Sequence, residues 1–303
     1  MTDQTVVFER LRPRLHGLAY RMLGARDEAE DAVQEAFLRW HRADASEIRS
    51  PEAWLVTVVT RLCLDRLRAV AAEREAYIGP WLPEPLIGGQ TDAPDRRVEL
   101  ASDLSMAFLI MLERLAPEER AAFLLHDVFD CGYPDIARAL GKSEAACRQI
   151  VHRARARVRR EKPRFEVSEA AHRRLLEQYV AALRTRDEAK LLALFAEDAT
   201  LITDGGGKMR AALNVIRGAD RVTRGTLGAM RKVSGQFTHE IAMINGQLGF
   251  VTYVDGRLYA ASSIETDGQR ILSVFRVLNP AKLRGLAASD TAPATCEPQE
   301  AAH

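Results

Sequence analysis

Basic side chains crowd the segment from Lys142 to Arg164, and this cluster is the clearest chemical signal in the sequence. The stretch 135–160 predicts a short helix, a tight turn at Gly141 and Lys142, and a longer helix capped by Ser143. The longer helix has one apolar stripe, formed by Cys147, Val151, Ala154 and Val158. A helix with one apolar face and one cationic face suits the major groove of DNA, so the segment predicts a helix-turn-helix.

The polar face of that helix predicts two kinds of DNA contact. Base edges would be read near the helix start by Glu144, Arg148 and Gln149. Phosphates would be neutralised by Lys142, Arg153, Arg155 and Arg157, with His152 and Arg159 on the same face. The alternative is a solvated basic helix without a ligand. It is disfavoured because a solvated face normally mixes charge signs, and here only Glu144 and Glu161 are acidic.

A second charged feature is acidic and lies in the first forty residues. A helix predicted over 27–43 directs Glu28, Asp31, Gln34 and Glu35 largely outward. Acids at a helix N-terminus also suit the helix dipole, so solvated surface acids are the simple alternative for Asp31 and Glu35. An acidic region and a basic region in one chain indicate two different partners.

Residues suited to catalysis or metal binding are scattered. His239 with Asp198, Asp204 or Asp255 could supply general acid and base chemistry, but their spacing matches no fixed triad. Cys63, Cys131, Cys147 and Cys296 stand far apart without a C-x-x-C pair. We therefore expect no metal site, no cofactor and no catalysis.

The elements that carry the N-terminal charges are predicted helices. Apolar residues at helical spacing predict one helix over Phe8–Met22, and Ser50 followed by Pro51 opens another that continues to Leu67. The latter directs Arg61, Asp65, Arg66 and Arg68 outward. Trp40 and Trp54 are predicted core residues.

Prolines and glycines interrupt the helical pattern over residues 76–97, which predicts a linker. The linker contains the run WLPEPL, 81–86, whose large apolar side chains predict docking on another part of the chain. Helices are predicted to resume over Val98–Leu115 and Pro117–Val128.

After Pro163 the pattern changes to that of an α+β domain. Two predicted helices, Glu169–Leu183 and Asp187–Phe195, precede alternating sequence. Asn245-Gly246, Asp255-Gly256 and Asp267-Gly268 predict hairpin turns and hence four consecutive antiparallel strands that end near Leu278. The tail 284–303 is predicted to be disordered.

The length and the composition of the chain predict a soluble protein with two or three compact domains. A chain of 303 residues exceeds one usual domain, and 47% hydrophobic with 28% charged residues is typical of globular proteins. The N-terminus lacks the apolar run of a signal peptide, and no run approaches the ~20 residues of a membrane span. A cytoplasmic protein without membrane contact is expected.

Three runs together resemble the extracytoplasmic-function sigma factors of RNA polymerase. They are DEAEDAVQEAFLRWHRA, SPEAWLVTVVTRLCLDRLR and the segment from LAPEERAAFLL through the helix-turn-helix, which together cover about Phe8–Arg160. The resemblance implies region two over 1–75 and region four over 98–163. It also implies promoter DNA and core RNA polymerase, through its β′ coiled coil and β flap, as partners.

The resemblance assigns roles by position. The acidic helix would bind the β′ coiled coil through Asp31, Gln34, Glu35 and Leu38. The third helix and its preceding loop would open and read the −10 element through Arg61, Asp65, Arg66 and Arg68. The helix from Ser143 would read the −35 element. Many family members have Asn where Arg61 stands, so their −10 base preference does not carry over.

The C-terminal part, 168–283, resembles a SnoaL-like cone-shaped α+β barrel. The expected fold is thus multidomain, with two all-α helical domains followed by this barrel. WLPEPL, the run DGGGK at 204–208 and the run NPAKL at 279–283 are similar to signatures of sigma factors with such an extension. Ala281 stands where that group usually has Asp. The predicted interdomain residues are Trp81, Leu82, Pro83, Asp204, Gly205, Gly206, Gly207, Lys208, Asn279, Pro280, Lys282 and Leu283.

Our hypothesis is that DGGGK packs against WLPEPL or region two and so sets the spacing of the two DNA-reading regions. A flexible loop at a strand end is the alternative for the three glycines. The expected protein is a sigma factor, monomeric when free, whose C-terminal domain acts in place of or alongside an anti-sigma protein. The alternatives are a regulator that does not join polymerase, and a SnoaL-type enzyme or ligand sensor fused to a DNA-binding regulator. A small ligand in the cone is a further possibility.

Overall fold

The structure is a computed structural model and describes residues 3–87, 104–161 and 167–284. The predicted linker from residue 88 onward, the first residues of the helix predicted at Val98 and the predicted disordered tail after Arg284 lie outside these ranges.

The first helical unit comprises α1 (Asp3–Leu23), α2 (Arg26–Arg42), a 3-10 turn (Ala45–Glu47), α3 (Pro51–Ala69) and α4 (Ala71–Glu75). Ser50 begins α3 as predicted, because its side chain accepts the Ala53 N–H at 3.3 Å and Pro51 occupies the first helical position. Gly24 separates α1 from α2 with a φ of +68°. Trp40 is buried and packs on Trp54, with ring centroids 5.6 Å apart.

The second helical unit contains the predicted helix-turn-helix. Its elements are α5 (Met106–Glu113), α6 (Pro117–Phe123), a π-helical turn (Leu124–Val128), α7 (Tyr133–Leu140) and α8 (Glu144–Glu161). Gly141 ends α7 in the left-handed conformation with a φ of +64°, and the Ser143 hydroxyl accepts the Ala146 N–H at 3.2 Å.

The two helical units share one continuous apolar core. Buried Leu18 and Leu55 of the first unit belong to the same cluster as Leu112 and Val151 of the second. Arg120, 3% exposed, adds a polar tie between the units, because its Nη1 donates to the Met22 carbonyl at 2.5 Å. The helices are therefore packed together as one body in this state.

The C-terminal domain combines helices with one six-stranded sheet. Its elements are α9 (Glu169–Thr185), α10 (Glu188–Leu194), β1 (Phe195–Asp204), β2 (Ile216–Arg217), α11 (Ala219–Arg231), β3 (Phe237–Ile244), β4 (Gln247–Val254), β5 (Arg257–Thr266), β6 (Ile271–Val277) and α12 (Pro280–Leu283). The strand order is β2-β1-β6-β5-β4-β3. All neighbours are antiparallel except β1 and β6, which are parallel.

The predicted antiparallel strands are present as β3 to β6, with left-handed residues at Asn245, Asp255 and Gly268 in the turns. The prediction missed β1, β2 and α11. It also extended a helix to Phe195, whereas α10 ends at Leu194 and Phe195 begins β1. The cause is long-range pairing: Leu201 of β1 lies opposite Val274 of β6, far away in sequence.

The two faces of the sheet have different neighbours. Leu201, Phe250 and Val274 pack with the helices of the C-terminal domain. Phe275 and Val277, which alternate with Val274 along β6, instead pack with Leu82 of the linker and Met106 of α5. The sheet is therefore buried on both faces, and the second face holds parts of the chain that precede the domain.

We predict that Leu112→Ala destabilises the fused helical core by about 2–5 kcal/mol, because Leu112 is fully buried and its truncation leaves a cavity. Denaturant unfolding followed by circular dichroism measures the change. Leu192→Ala is the matched control, since Leu192 of α10 is 42% exposed. An equal, small effect of both changes would contradict the shared core.

Candidate nucleic-acid interface and linker-binding site

The exposed face of α8 carries the predicted DNA-reading side chains. Glu144, Arg148, Gln149 and His152 are all exposed. Arg148 lies 3.4 Å from the Glu144 carboxylate and 5.4 Å from the centroid of the Tyr133 ring. The buried stripe below them, which includes Cys147, fixes the direction in which this face points.

The predicted phosphate-contacting cations of α8 are paired with carboxylates of the same unit. Arg155 lies 2.8 Å from Asp127, and both Arg153 and Arg157 approach Glu119, at 3.6 and 2.9 Å. Lys142 lies 3.3 Å from Glu118. Such surface pairs contribute about 0–1 kcal/mol each, so DNA phosphates can compete for these cations.

The acidic helix α2 keeps its predicted partner-binding residues at the surface. Asp31 and Gln34 are exposed, and Glu35 is partly exposed with its carboxylate 2.8 Å from Arg39. Leu38 on the same helix is 42% exposed, so this acidic surface also includes one large apolar side chain.

The third group of predicted DNA-contacting side chains lies on α3. These side chains bind other groups of the protein in this structure. Arg61 donates to the carbonyls of Arg138 and Ala139 at the end of α7, at 2.5 and 3.3 Å. Arg66 pairs with Glu28 at 2.9 Å, and Arg68 with Asp65 at 3.0 Å. In this state the second helical unit therefore holds Arg61.

The contact between linker and C-terminal domain is built on Asp204 at the end of β1. Its side chain is fully buried and accepts from Lys282 Nζ at 2.8 Å, Leu82 N–H at 2.9 Å and the Tyr77 hydroxyl at 2.5 Å. Lys282 also donates to the Leu82 carbonyl at 2.5 Å. We call Tyr77, Leu82, Asp204, Asn279 and Lys282 the linker-binding site.

Aromatic rings of the linker complete the surroundings of Lys282. Its Nζ lies 3.9 Å from the centroid of the Trp81 ring and 5.0 Å from that of Tyr77. Arg74 of α4 stacks over Trp81 at 4.3 Å. Burial lowers the pKa of Lys282, and the neighbouring Asp204 carboxylate opposes that shift. Burial, followed by the bond to Asp204, raises the pKa of Tyr77.

The three glycines after Asp204 are needed for close approach. A Cβ on Gly206, whose φ is +56°, would lie 2.3 Å from Asn279 Nδ2 and 2.8 Å from the Tyr77 hydroxyl. A Cβ on Gly207 would lie 2.9 Å from Ile78, and one on Gly205 2.3 Å from the Met209 carbonyl oxygen. The loop is therefore shaped by the linker and by the Asn279 region.

Most of the predicted interdomain residues are either buried or exposed. Leu82, Pro83, Asp204, Asn279, Lys282 and Leu283 are buried. Lys208 and Pro280 are exposed, and the Lys208 side chain makes no hydrogen bond or ion pair with the described part of the chain, although its backbone N–H donates to the Gly205 carbonyl at 3.0 Å. The structure thus brings the linker and DGGGK together through Asp204 and the glycines.

A second polar contact was not predicted. Buried Asn245, in the turn between β3 and β4, donates to the Tyr20 hydroxyl at 2.9 Å and accepts the Leu86 N–H at 2.6 Å. Tyr20 of α1 in turn donates to the Glu84 carbonyl at 2.5 Å. The Asn-Gly pair signalled a hairpin turn, but nothing in the local pattern signalled a contact with α1.

The catalytic alternative finds no support in the geometry. His239 lines a cavity between sheet and helices, but Asp204 is taken by Lys282, Asp198 is exposed and Asp255 accepts the Gln236 N–H. No carboxylate is among the described residues that line this cavity. Burial, with Arg276 and Arg184 adding to it, lowers the pKa of His239 to about 4.

Residues 3–87, 104–161 and 167–284 contain neither a metal site nor a membrane-spanning helix. Cys63, Cys131 and Cys147 are free thiols, and Cys296 lies outside these ranges. No group of three or more His, Cys, Asp or Glu side chains there could hold a metal ion. None of the helices there has the length and apolar character needed to traverse a lipid bilayer.

The comparisons with known proteins agree with this geometry. Residues 7–73 match the model of Sigma-70 region 2, and residues 105–158 match that of Sigma-70 region 4. These matches cover the two helical units and define the class as that of sigma factors.

Full-length relatives give the family. The chain is 40% identical over 291 residues to the ECF RNA polymerase sigma factor SigJ of Mycobacterium tuberculosis, covering 92% of each chain. It is 33% identical over 283 residues to the probable ECF RNA polymerase sigma factor SigI of the same species, covering 91% of this chain and 93% of the relative. The crystal structure of Mycobacterium tuberculosis SigJ superposes with a TM-score of 0.75 at 37% identity, covering 93% of this chain and 98% of that one.

The chain belongs to the extracytoplasmic-function sigma factors, the RNA polymerase subunits that direct transcription initiation at promoters. The sequence resemblance and the fold class are thereby confirmed, with regions two and four followed by an α+β domain. Its partners are core RNA polymerase and promoter DNA. This family is not a class of enzymes.

We predict that Gln149→Ala and Arg153→Ala weaken promoter binding in different ways. Loss of a base-reading side chain costs about 1–3 kcal/mol at its own base pair and relaxes specificity there. Loss of a phosphate contact weakens all sequences alike and reduces the salt slope by about one. Holoenzyme binding to promoter fragments over a salt series measures both. The assignment of Gln149 fails if its variant loses affinity equally for every sequence.

We also predict that Gly206→Ala destabilises the folded chain by about 2 kcal/mol or more, because the new methyl group meets Asn279 and Tyr77 and the residue has a positive φ. Gly228→Ala in α11 is the matched control, since a Cβ there meets no atom within 4 Å. It should be neutral or stabilising. Thermal unfolding of both variants measures the difference, and equal melting temperatures would show that the loop does not need glycine.

Proposed function

We propose that the C-terminal domain regulates this sigma factor by holding the linker, and so sets how far regions two and four can separate. The observation that supports this most strongly is the linker-binding site, where Asp204 accepts the Leu82 N–H and Lys282 donates to the Leu82 carbonyl. The linker joins region two to region four along the chain, so its position affects where both regions can lie.

The domain holds region two as well as the linker. Asn245 reaches Tyr20 of α1, and the Glu84 N–H donates to the Gly24 carbonyl at 2.8 Å between α1 and α2. Trp81 fills the space beside Gly24, where a Cβ would lie 2.6 Å from the ring. Region two, residues 77–87 and the C-terminal domain are thus joined by buried polar contacts.

Region four is held by contacts of a different kind. It packs on the sheet through Met106 and on region two through the shared apolar core and the Arg61 contact. We propose that this is the free state, because Arg61 and the α8 cations are occupied by groups of the protein itself. Binding to polymerase would release region four, while residues 77–87 stay on the C-terminal domain.

Surface chemistry supports the partner sites proposed for polymerase. Asp31, Gln34, Glu35 and Leu38 form an acidic surface with one exposed leucine, which suits a basic and partly apolar helical partner such as the β′ coiled coil. Region four would reach the β flap. The protein acts in the cytoplasm, where its polymerase and promoters are, and is monomeric when free.

The test compares promoters that differ in the length of the spacer between the −10 and −35 elements. When the C-terminal domain holds the linker, the tether that leads to region four starts after Ile87. When the linker is released, residues 77–87 become part of that tether and lengthen it. A longer tether lowers the effective concentration of region four at its element and tolerates more spacings.

We therefore expect Lys282→Ala to broaden the spacer preference and to lower run-off transcription at the best spacer about three- to tenfold. The change leaves Asp204 buried without its cation, which costs about 3–5 kcal/mol. Lys208→Ala is the matched control, since Lys208 lies on the loop that follows Asp204 and is exposed. An unchanged spacer profile for a folded Lys282→Ala variant with core polymerase would refute the proposal.

A further inference from the structure

The C-terminal domain contains a small cavity of about 80 Å³ between the curved sheet and α11. A single water needs roughly 10–15 Å³ of cavity volume, so the cavity is large enough for a ligand of about five to eight non-hydrogen atoms. Its apolar walls are formed by Leu201, Ile216, Met230 and Phe237. It is separate from the DNA-binding face and from the linker-binding site.

One wall of the cavity carries a buried polar atom without a partner. His239 is 4% exposed, and its Nε2 makes no hydrogen bond within the described part of the chain. Its Nδ1 lies 3.0 Å from the Thr252 hydroxyl. When that hydroxyl donates to Nδ1, the imidazole carries its proton on Nε2, which is then a donor without an acceptor. A buried unsatisfied donor costs about 1–3 kcal/mol, and a ligand oxygen would remove that cost.

The charged side chains among the described residues that line the cavity are cationic. Arg276 and Arg210 line it, while no Asp or Glu is among its described lining residues. Within residues 3–87, 104–161 and 167–284, the Arg276 side chain makes only long hydrogen bonds to neutral groups, 3.4 Å to the Ser262 hydroxyl and 3.5 Å to the Tyr179 hydroxyl. A guanidinium held by neutral groups beside an imidazole donor fits a planar anion, since Arg binds carboxylates through two parallel hydrogen bonds.

We propose that this cavity binds a small monocarboxylate with an apolar body, its carboxylate held by Arg276 and by the Nε2–H of His239. The ring of Tyr259, whose centroid lies 6.1 Å from that of Phe237, adds an aromatic wall for the apolar part. The size of the cavity favours a short alkyl chain, in the range of pentanoate or hexanoate.

Two strands connect this cavity to the linker-binding site. Thr203 lines the cavity and the next residue, Asp204, binds the linker. On β6, Arg276 lines the cavity while Val277 packs in the cluster that contains Leu82, and the Leu278 and Asn279 N–H groups donate to the Asp204 carbonyl at 2.7 and 2.9 Å. A ligand that fixes Arg276 would therefore stabilise the linker-binding site. This regulatory consequence rests on the proposed function, whereas ligand binding does not.

Isothermal titration of the full chain with pentanoate and hexanoate tests the proposal, with pentanamide and hexanamide as neutral analogues of the same shape. We expect millimolar or tighter binding of the acids and at least about tenfold weaker binding of the amides. Arg276→Gln should weaken acid binding about 10- to 100-fold. Arg257→Gln is the matched control, since Arg257 is exposed at the start of β5 and does not line the cavity.

Nitrogen NMR of the histidine side chains gives an independent readout, because a bound carboxylate must shift the Nε2 resonance of His239. Equal binding of acids and amides, no binding of either acid, or undiminished binding by a folded Arg276→Gln variant would overturn the proposal. If that variant does not fold, the comparison of acids with amides on the unaltered chain decides. These titrations contain no polymerase, so their failure leaves the spacer result untouched, and a failed spacer result leaves them untouched.

Discussion

The buried ion pair between Asp204 and Lys282 is the constraint on which the interdomain arrangement depends. Two charges removed from water are tolerated only when their remaining hydrogen-bonding positions are satisfied. Here the linker satisfies them: Leu82 supplies an N–H to the carboxylate and a carbonyl to the ammonium, while Tyr77 supplies a hydroxyl. Without the linker the pair would be incomplete, so the C-terminal domain and the linker must be ordered together. The glycine loop at 205–207 follows from the same demand, because it leaves room for Tyr77 and Asn279.

The remaining contacts differ in strength in the way that the proposed change from the free state to the polymerase-bound state requires. The exposed cations of α8 are held by carboxylates such as Glu119 and Asp127 at the surface of the unit, in pairs that contribute about 0–1 kcal/mol each. The Arg61 contact joins regions two and four through carbonyl groups. Disruption of the buried Asp204–Lys282 pair costs about 3–5 kcal/mol. The proposed release of region four therefore breaks the weaker surface contacts and leaves the stronger contact between the linker and the C-terminal domain in place.

Local sequence patterns predicted most helices and the hairpin strands, because apolar spacing, Ser caps and Asn-Gly or Asp-Gly turns act within a few residues. They missed β1 and β2, which form through pairing of Leu201 with Val274 and with Ile216. They also missed α11, where Gly225 and Gly228 weaken the helical signal. For the site, resemblance to family signatures indicated Asp204 and Lys282. Tyr77, Tyr20 and Asn245 could not be predicted, since each meets its partner only after distant segments pack together.

Amide hydrogen exchange at Leu82, measured in the free protein and in the holoenzyme, tests the central claim most directly. The Leu82 N–H donates to a fully buried carboxylate, so its exchange reports on whether the linker occupies the site. We expect strong protection of this amide in both states, and loss of that protection in Lys282→Ala. Exchange of the Leu82 amide at the rate of an unstructured peptide in the holoenzyme would show that the linker leaves the domain when polymerase binds, and would contradict the account.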